Sequence, residues 1–405
     1  MNARAPEWRV RLLLAAVSSA VTLFGAEALA RILLRSPPSE RAPGTPISEL
    51  SPTLGWRTRP TGSQRIKRGE FAVTISINGQ GLRGPEIAYR AAPGVRRLAI
   101  MGDSFAHGYY ADEPSTLRGR LGVALQGCAV EALNAGSPGY STDQEWLYFA
   151  EEISKYQPSE IVLLFYYNDL FFNLEPMGTG DRAKPVFEER GGVLVARPPA
   201  AKGVGPRRLQ GEGGPEPVAQ VRSAPTFHHS ALWAFAAERL QRRRPDWQRR
   251  LSRAGLMPDL SVSPPAEFVP FGPKGDAERG RVEAMWKQTE ELLRLFREDV
   301  RRSDAGFSVF YVPARFEVND AAWQFVQRRY EADRPWQRDV VRQRLASVLT
   351  RLDIPMVEAG GEFARAERSA RPAYFALDGH WNDRGNEIAF DALLPAMRRA
   401  FSCAS

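Results

Sequence analysis

Residues 96–108 read RRLAIMGDSFAHG. The apolar run Leu98–Met101 predicts a buried strand, and Gly102 and Asp103 separate it from Ser104, so we expect this serine at the carboxyl end of the strand. In open α/β sheets, ligands bind in the crevice at the carboxyl ends of the strands. The position favours a reactive serine, although a serine here can also simply cap a helix that begins near Phe105.

A histidine and an aspartate near the end of the chain are candidate partners for this serine. They stand in the triplet Asp378-Gly379-His380. A serine hydroxyl is a weak nucleophile at neutral pH, so it needs an imidazole to take its proton and an acid to orient that imidazole. We therefore predict Ser104 as nucleophile, His380 as general base and Asp378 as the orienting acid. His107 is a poor alternative base, because it lies one helical turn after Ser104, and we expect a structural or substrate-contacting role for it.

Two further polar motifs each follow a short apolar segment. NAGSPG at 134–139 follows residues 129–133, and YYND at 166–169 follows residues 161–165. A glycine amide and an asparagine side-chain amide both donate hydrogen bonds, and donors aimed at a developing oxyanion are usually the largest catalytic term. The pattern predicts that Gly139 and Asn168 lie near Ser104. We expect Asp169 to fix the loop that carries Asn168.

Taken together, these motifs resemble the four blocks of the SGNH, or GDSL, hydrolase family. The blocks occur in order as GDSF with Ser104, NAGSPG with Gly139, YYND with Asn168, and DGH with Asp378 and His380. The resemblance extends over about residues 96–401, with an interruption between the third and last blocks. It implies a Ser-His-Asp triad, an oxyanion hole made by the Ser104 amide, Gly139 and Asn168, and acyl chemistry without a metal or dissociable cofactor.

The chain departs from the family pattern in two places. Tyr166 stands where the third block commonly begins with glycine, which predicts a narrower pocket beside Asn168. The last block is often Asp-x-x-His, whereas only Gly379 separates Asp378 from His380 here. This shorter spacing resembles the membrane-tethered branch that includes the alginate acetylation proteins. Trp381, beside the base, could stack on a sugar ring, but packing against the sheet end is the preferred interpretation.

Apolar strands alternate with helical segments along the chain. The predicted strands are 97–101, 129–134, 160–166, 307–312 and 354–358, and the predicted helices are 115–126, 142–155, 278–302, 336–352 and 383–400. Unbroken apolar strands separated by helices predict a parallel sheet covered on both faces. We therefore predict a three-layer α/β/α, flavodoxin-like SGNH hydrolase fold with a parallel five-stranded sheet, a long insertion and an N-terminal transmembrane helix.

The predicted organisation has five parts. They are a membrane anchor or signal peptide at 1–35, a tether and small β lead-in segment at 36–95, the first part of the catalytic domain at 96–174, an insertion or lid at 175–274, and the second part of the catalytic domain at 275–405. The insertion leaves the sheet directly after the Asn168 block. Long irregular segments in a compact domain are usually functional lids or disordered loops, and both interpretations stay open.

The amino-terminal segment predicts the location of the protein. Three arginines precede an apolar run that begins at Leu12 and continues, interrupted by Glu27 and Arg31, to Leu34. A signal peptide would have this basic start and a small-residue cleavage site at 28–30. An uncleaved transmembrane anchor over 12–34 is long enough and is the preferred interpretation. Either one places the catalytic domain outside the cytoplasm, in the periplasm or the extracellular space.

Composition limits the choice of partners. The chain has 405 residues, 43% hydrophobic content and a formal charge of +8. This charge suits an anionic surface, but the arginines are dispersed and no nucleic-acid motif accompanies them, so we expect no nucleic-acid partner. Cys128 and Cys403 are the only cysteines, which excludes a cysteine-rich zinc module, and the sequence does not decide whether they pair.

Three functions fit these features. The first is an extracytoplasmic serine esterase that hydrolyses O-acyl esters, with acetyl as the expected group, on a glycan or lipid. The second is an O-acetyltransferase, in which a hydroxyl of a cell-surface polysaccharide replaces water. The third is a non-catalytic binding or assembly protein tethered to the membrane by its N-terminal helix. The intact set Ser104, His380, Asp378 and Asn168 argues against the third.

Overall fold

The computed structural model describes residues 7–33, 40–41, 47–68, 70–179, 182–191, 193–199, 264–330, 333–376 and 378–403, together with residues 236, 239–240, 244, 247, 250–251 and 256. Most of the predicted tether before residue 47, and most of the insertion after residue 199, lie outside them. The chain forms two compact units. The first comprises Met1–Pro38, Pro217–Ser263 and Arg328–Ala332, and the second comprises Ser39–Glu216, Pro264–Gln327 and Asp333–Ser405.

The first unit contains helix α1 (Glu7–Leu33). This helix overlaps the predicted membrane anchor over 12–34, and it carries the charged residues Glu27 and Arg31 in its second half. In the part of the chain that the structure describes, no helix is both long enough and apolar enough to cross a membrane. The predicted transmembrane helix is therefore not confirmed.

The other elements follow in chain order. The strands are β1 (Glu40–Arg41), β2 (Ser48–Ser51), β3 (Gly55–Thr58), β4 (Ser63–Arg68), β5 (Phe71–Ser76), β6 (Arg96–Gly102), β7 (Val130–Gly136), β8 (Glu160–Phe165), β9 (Met177–Gly178), β10 (Arg182–Ala183), β11 (Val186–Arg190), β12 (Val193–Arg197), β13 (Gly306–Tyr311) and β14 (Met356–Val357). The helices after α1 are α2 (Ser104–His107), α3 (Leu117–Leu125), α4 (Thr142–Glu151), α5 (Asp169–Phe172), α6 (Gly275–Arg302), α7 (Arg315–Val318), α8 (Asp320–Arg329), α9 (Val340–Arg351), α10 (Gly360–Glu367) and α11 (Asp383–Ala400). Short 3₁₀ turns cover Glu113–Ser115, Gln126–Cys128, Ile153–Tyr156 and Ala266–Phe271.

The centre of the second unit is a five-stranded sheet with the order β14-β13-β8-β6-β7. All of its strand pairs are parallel, which confirms the predicted five-stranded parallel sheet. In β6 and β8 nearly every residue is buried, as expected for strands covered on both faces. Strand β14 is shorter than the predicted 354–358. The residue before it is Pro355, which has no N–H to donate to a ladder.

Helices cover both faces of this sheet. On one face, Leu98 and Ile100 of β6 belong to a buried cluster that includes apolar residues of α3, α10 and α11. On the other face, Phe296 of α6 lies 5.5 Å from Phe149 of α4 and 4.9 Å from Phe307 of β13, between ring centroids. The second unit therefore has the predicted α/β/α layering, in which both faces of the sheet pack against helices.

The lead-in segment contains two small antiparallel sheets. One has the strand order β1-β4-β5, and the other is the hairpin of β2 and β3. Buried and exposed residues alternate along β5, because successive side chains of a strand point to opposite faces. Val73 and Ile75 of this strand pack with Ile47, Ile66 and Ile77 in a small apolar cluster. The small β element expected at 36–95 is thus two sheets.

The described start of the insertion, up to residue 199, contains two hairpins, one of β9 and β10 and one of β11 and β12. Phe187 of β11 is buried, and its ring lies 5.3 Å from that of Trp146 on α4. The described start of the insertion is therefore packed against α4 of the second unit. The predicted insertion or lid spans 175–274, and most of its residues between 200 and 263 lie outside the described residues.

A disulfide bond joins Cys128 and Cys403. Their Cα atoms are 5.5 Å apart, within the usual range for bonded cysteines. The bond connects the start of β7 to the residues that follow α11. The pairing that the sequence left open is thus present in the structure.

Candidate active site

Ser104 lies at the carboxyl end of β6, as the sequence predicts. Gly102 is the last residue of the strand, and α2 begins at Ser104 itself. The cap of this helix is Asp103, whose Oδ1 accepts a hydrogen bond of 2.9 Å from the main-chain N–H of Phe105. Because Asp103 supplies the cap, the alternative that Ser104 serves only as a helix cap does not hold. Ser104 is 3% exposed.

The structure brings Asp378 and His380 to this serine. Ser104 Oγ lies 2.9 Å from Nε2 of His380, although the two residues are 276 positions apart in sequence. On the other side of the ring, Nδ1 lies 2.5 Å from Oδ1 of Asp378. A carboxylate can only accept at this position, so Nδ1 carries the proton and Nε2 is left to accept from the serine hydroxyl. The three side chains form one hydrogen-bonded relay.

Two aromatic rings hold the imidazole in place. Tyr110 stacks on His380 with ring centroids 4.1 Å apart, and Phe105 lies 4.7 Å from the same ring. Trp381 is 2% exposed and packs against Phe105 at 4.9 Å and Phe363 at 5.5 Å. Trp381 therefore packs in the core, as preferred from the sequence, and does not present its ring as a sugar platform. The clamp fixes the ring plane of the base.

The loops that carry Gly139 and Asn168 leave the same edge of the sheet as Ser104. Gly102 pairs in register with Gly136 of β7 and with Leu164 of β8, so the three strands end side by side. The N–H of Ser137 donates to the main-chain oxygen of Gly102 at 2.9 Å. Asn168 directly precedes α5, and its Oδ1 is buried without a hydrogen-bond partner among the described residues. Both candidate oxyanion donors thus stand on loops that follow the two strands paired with β6.

Tyr166 forms part of the wall beside these loops. Its ring lies 4.8 Å from that of Phe105 and 4.6 Å from that of Tyr167. Burial raises the pKa of Tyr166, with nearby carboxylates as a smaller cause, so its hydroxyl stays protonated at neutral pH. A large side chain therefore stands directly before the Asn168 loop, in contact with Phe105, which also packs against the imidazole of His380.

His107 is separate from the relay. It is completely buried, and neither ring nitrogen has a hydrogen-bond partner among the described residues. Burial lowers the pKa of His107 well below its ordinary value, and the positive charge of Arg83 lowers it further, so the ring is neutral. Its main-chain oxygen accepts hydrogen bonds from Arg83 Nη1 at 3.0 Å and Asn134 Nδ2 at 3.1 Å. The structure gives it a structural position, which is one of the two roles expected.

Asp169 belongs to a buried polar group beneath the loops. Its Oδ2 accepts long hydrogen bonds of 3.4 Å from Thr142 Oγ1 and from the N–H of Tyr166. Burial raises the pKa of Asp169, and the negative charge of Asp103 raises it further. Burial also raises the pKa of Glu145 on α4, and the negative charges of nearby carboxylates, first that of Asp169, raise it further. Asp169 therefore links the Asn168 loop to the first turn of α4, in agreement with its expected role.

This group also contains a buried ion pair that has no signal in the sequence. The ammonium of Lys184 pairs with Asp143, and both side chains are fully buried. Lys184 Nζ also donates to the main-chain oxygen of Phe172 at 2.8 Å. One side chain from the insertion thus joins α4 to α5, the helix that follows Asn168. No motif marks Lys184, because its partners lie in other segments of the chain. Among the described residues, no cluster of His, Cys, Asp and Glu is arranged to hold a metal ion.

Comparison with known proteins gives weak similarity only. The chain matches no protein-family model and no curated protein. Among solved structures, an alpha/beta hydrolase enzyme from the metagenome of Lake Arreo is 14% identical, with 78% of this chain and 99% of that chain covered and a TM-score of 0.37. A lipase/acylhydrolase from Enterococcus faecalis is 12% identical, with 75% and 96% covered and a TM-score of 0.36. An acetyl xylan esterase from Geobacillus stearothermophilus is 11% identical, with 78% and 97% covered and a TM-score of 0.35.

Proposed function

We propose that the protein is a serine esterase of the SGNH type that hydrolyses O-acyl esters, with acetyl as the acyl group, on a glycan or lipid. The observation that carries this proposal is the relay from Ser104 Oγ through His380 to Asp378, with distances of 2.9 and 2.5 Å. Those distances lie within hydrogen-bond reach, which a nucleophile and its base require. The relay stands at the carboxyl edge of a parallel sheet, where substrates bind in such folds.

The reaction proceeds in two steps through an acyl-enzyme. Ser104 Oγ attacks the ester carbonyl carbon, and His380 Nε2 takes the hydroxyl proton. The charge on the carbonyl oxygen is stabilised by the main-chain amides of Ser104 and Gly139 and by the side chain of Asn168. The alcohol then leaves with the proton from His380. Water attacks the acyl-serine, His380 again takes and returns a proton, and the free acid departs.

An O-acetyltransferase is the second candidate, and one observation favours keeping it. Ser104 is 3% exposed and His380 is 9% exposed. A transferase must hold its acyl-enzyme away from water until a sugar hydroxyl arrives, and a recessed nucleophile helps to do so. The chemistry of the first step is the same in both cases. A non-catalytic binding protein needs no such relay, which argues against that alternative.

We place the catalytic unit outside the cytoplasm as part of this proposal. The disulfide between Cys128 and Cys403 supports it, since such bonds form and persist in oxidising compartments. The basic start and apolar run of the amino-terminal segment point the same way, because they resemble an export signal or anchor. An acylated glycan or lipid at the cell surface is then the partner, with the amino-terminal segment holding the enzyme at the membrane.

The test is the release of p-nitrophenol from p-nitrophenyl acetate by the full chain and by Ser104→Ala. We expect the substitution to lower kcat by about 10³-fold or more, because no other group replaces the nucleophile. Ser308→Ala is the matched control, since Ser308 is a buried serine on β13 of the same sheet. Its rate should stay close to that of the unchanged protein.

Adding a short acceptor glycan separates the two enzymatic candidates. Unacetylated glycan with free acetate supports the esterase, and Ser104-dependent acetylated glycan supports the transferase. Turnover that does not fall in Ser104→Ala relative to Ser308→Ala contradicts Ser104 as the nucleophile. No turnover above the uncatalysed rate in any of the proteins leaves the binding protein.

A further inference from the structure

The turn that carries Gly139 has a defined geometry. The N–H of Tyr140 donates to the main-chain oxygen of Ser137 at 3.1 Å, which closes a four-residue turn. Pro138 occupies its second position, and Gly139, with φ of +79°, occupies its third. A type II turn requires a positive φ at the third position, and glycine adopts it without strain. The orientation of the Pro138–Gly139 peptide is therefore the variable that decides where the Gly139 N–H points.

The opposite end of that peptide is held from outside the turn. Trp56 Nε1 donates to the main-chain oxygen of Pro138 at 3.1 Å. Arg182 Nη2 approaches the same oxygen at 3.4 Å, a longer contact that adds a positive charge. In a planar trans peptide the C=O and N–H point in opposite directions, so donors on the Pro138 oxygen also orient the Gly139 N–H.

Trp56 is itself rigidly placed. It is 2% exposed, and its main-chain oxygen accepts a hydrogen bond of 2.5 Å from the hydroxyl of Tyr140. The guanidinium carbon of Arg182 lies 3.8 Å from the centre of the indole ring. On the ring's far edge, a Cβ at position 178 would lie 2.5 Å from Cη2 of Trp56, so only glycine at 178 admits the indole in this position. The tryptophan has little freedom to turn away from Pro138.

Arg182 is braced in turn by the insertion. Its Nε donates to the main-chain oxygen of Thr179 at 3.1 Å, and its Nη2 lies 3.2 Å from the hydroxyl of the same residue. Trp56 belongs to β3 of the lead-in segment, whereas Arg182 and Thr179 belong to the hairpin that opens the insertion. Two segments outside the four motifs thus converge on one peptide beside the nucleophile.

We propose that Trp56 and Arg182 are positioning residues, which hold the Pro138–Gly139 peptide so that the Gly139 N–H stays aimed at the developing oxyanion. The inference rests on the proposed function, because it assigns a catalytic use to the Gly139 amide. The two residues act through the peptide and do not touch the substrate. Donors and positive charge on the Pro138 oxygen also polarise the amide, which strengthens its N–H as a donor. Preorganised donors of this kind act mainly on the transition state.

The experiment compares two test variants and two control variants of the full chain in the p-nitrophenyl acetate assay, with Arg182→Lys as a rescue variant. Trp56→Phe keeps an aromatic ring but removes the indole donor, and Arg182→Gln removes the charge. The first matched control is Trp146→Phe on α4, which removes an indole N–H that donates to Asp299 at 2.7 Å. The second is Arg57→Gln on β3, which removes a guanidinium that pairs with Glu49 at 2.8 Å. Among the described residues, neither control side chain forms a hydrogen bond or a ring contact with residues 137–140.

We expect kcat to fall roughly tenfold in Trp56→Phe and by a smaller factor in Arg182→Gln, with KM nearly unchanged, because a transition-state donor loses its orientation. The pH profile of kcat/KM should keep its midpoint, since His380 and Asp378 are untouched. Arg182→Lys should recover part of the rate, because it keeps the charge. Both control variants should stay within about twofold of the unchanged protein.

Three outcomes overturn the inference. Equal kcat in Trp56→Phe and Trp146→Phe, a loss confined to KM, or a shifted pH midpoint would each remove the proposed role. If Trp56→Phe does not fold, the test rests on Arg182→Gln. The side chain of Arg182 is only partly buried, so the melting temperature of Arg182→Gln should stay close to that of Arg57→Gln. Ser104→Ala distinguishes failure of the proposed function from failure of this inference. If Ser104→Ala abolishes turnover while the test variants and their controls have equal kcat, the esterase proposal is retained and only the positioning role is rejected.

Discussion

At the scale of single residues, the geometry of the relay depends on the residues packed around it. Asp103 caps α2, so the Ser104 hydroxyl faces His380 instead of the helix end. Phe105 and Tyr110 lie against the imidazole, which limits its rotation. The Asp378 carboxylate then has one remaining task, which is to keep the proton on Nδ1.

Asp378→Asn tests that task. The amide is isosteric but can donate toward Nδ1, so it favours the tautomer whose Nε2 carries the proton and cannot accept from Ser104. We expect kcat to fall by about 10³- to 10⁴-fold with little change in melting temperature. Asp383→Asn is the control, because Asp383 lies in the same segment, is largely exposed and pairs with Arg120 at 2.7 Å. Unchanged kcat in Asp378→Asn would assign the orienting role elsewhere.

At the scale of elements, α4 and α5 support the two loops from below. The first turn of α4 buries Thr142, Asp143 and Glu145. Asp143 forms an ion pair with Lys184. In contrast, neither carboxylate oxygen of Glu145 has a hydrogen-bond partner among the described residues. Burial and neighbouring carboxylates raise the pKa of Glu145 above its ordinary value of 4.5. Between pH 4.5 and the raised pKa, the folded protein therefore keeps a proton on Glu145 that the unfolded chain releases.

This difference makes stability depend on pH. An acid with a raised pKa in the folded state contributes fully below its ordinary value of 4.5, and the contribution is lost as pH rises toward the raised pKa. Glu145→Gln removes the titration. We expect the free energy of unfolding to fall less steeply in this variant as pH rises above about 5, measured by urea unfolding at several pH values.

Glu151→Gln is the control for this measurement, since Glu151 is the exposed last residue of the same helix. Its stability should change with pH as that of the unchanged protein does. Identical pH slopes in Glu145→Gln and the unchanged protein would mean that Glu145 is already ionised in the folded state.

At the scale of the whole molecule, the second unit is closed by one covalent link. Cys128 and Cys403 are 275 positions apart, and their bond ties the start of β7 to the end of the chain. The residues between them include β8, the insertion, β13 and the Asp378–His380 segment. A cross-link over so long a segment restricts the unfolded chain strongly.

Replacing both cysteines tests the contribution of this link. In Cys128→Ala/Cys403→Ala we expect the free energy of unfolding to fall by about 2–5 kcal/mol, as a lower urea midpoint. Reductant should bring the unchanged protein to the same midpoint and should leave the variant unaffected. A reductant effect of equal size in both proteins would show that the disulfide is not its cause.

Much of the fold could be predicted from the sequence, because local patterns encode it. The apolar runs gave the strands β6, β7 and β8 within one or two residues of their observed bounds. The membrane-spanning helix predicted at 12–34 is not confirmed, since hydropathy and length alone had to decide it. The sequence predicts a single helix over 142–155, whereas the α-helix ends at Glu151 and a 3₁₀ turn follows at Ile153–Tyr156. The sequence did not predict this change because no proline or glycine marks it.

The positions of the candidate catalytic residues could be read from the sequence, because each motif directly follows a strand and parallel strands end at one edge of a sheet. Ser104, Gly139 and Asn168 follow from that rule. The contacts that support these residues join remote segments and are visible only in the folded chain. The contact of Trp56 with Pro138 spans 82 positions and that of Lys184 with Asp143 spans 41. Periodicity reports only neighbours within a few residues, so contacts between remote segments arise from packing and leave no local pattern to find.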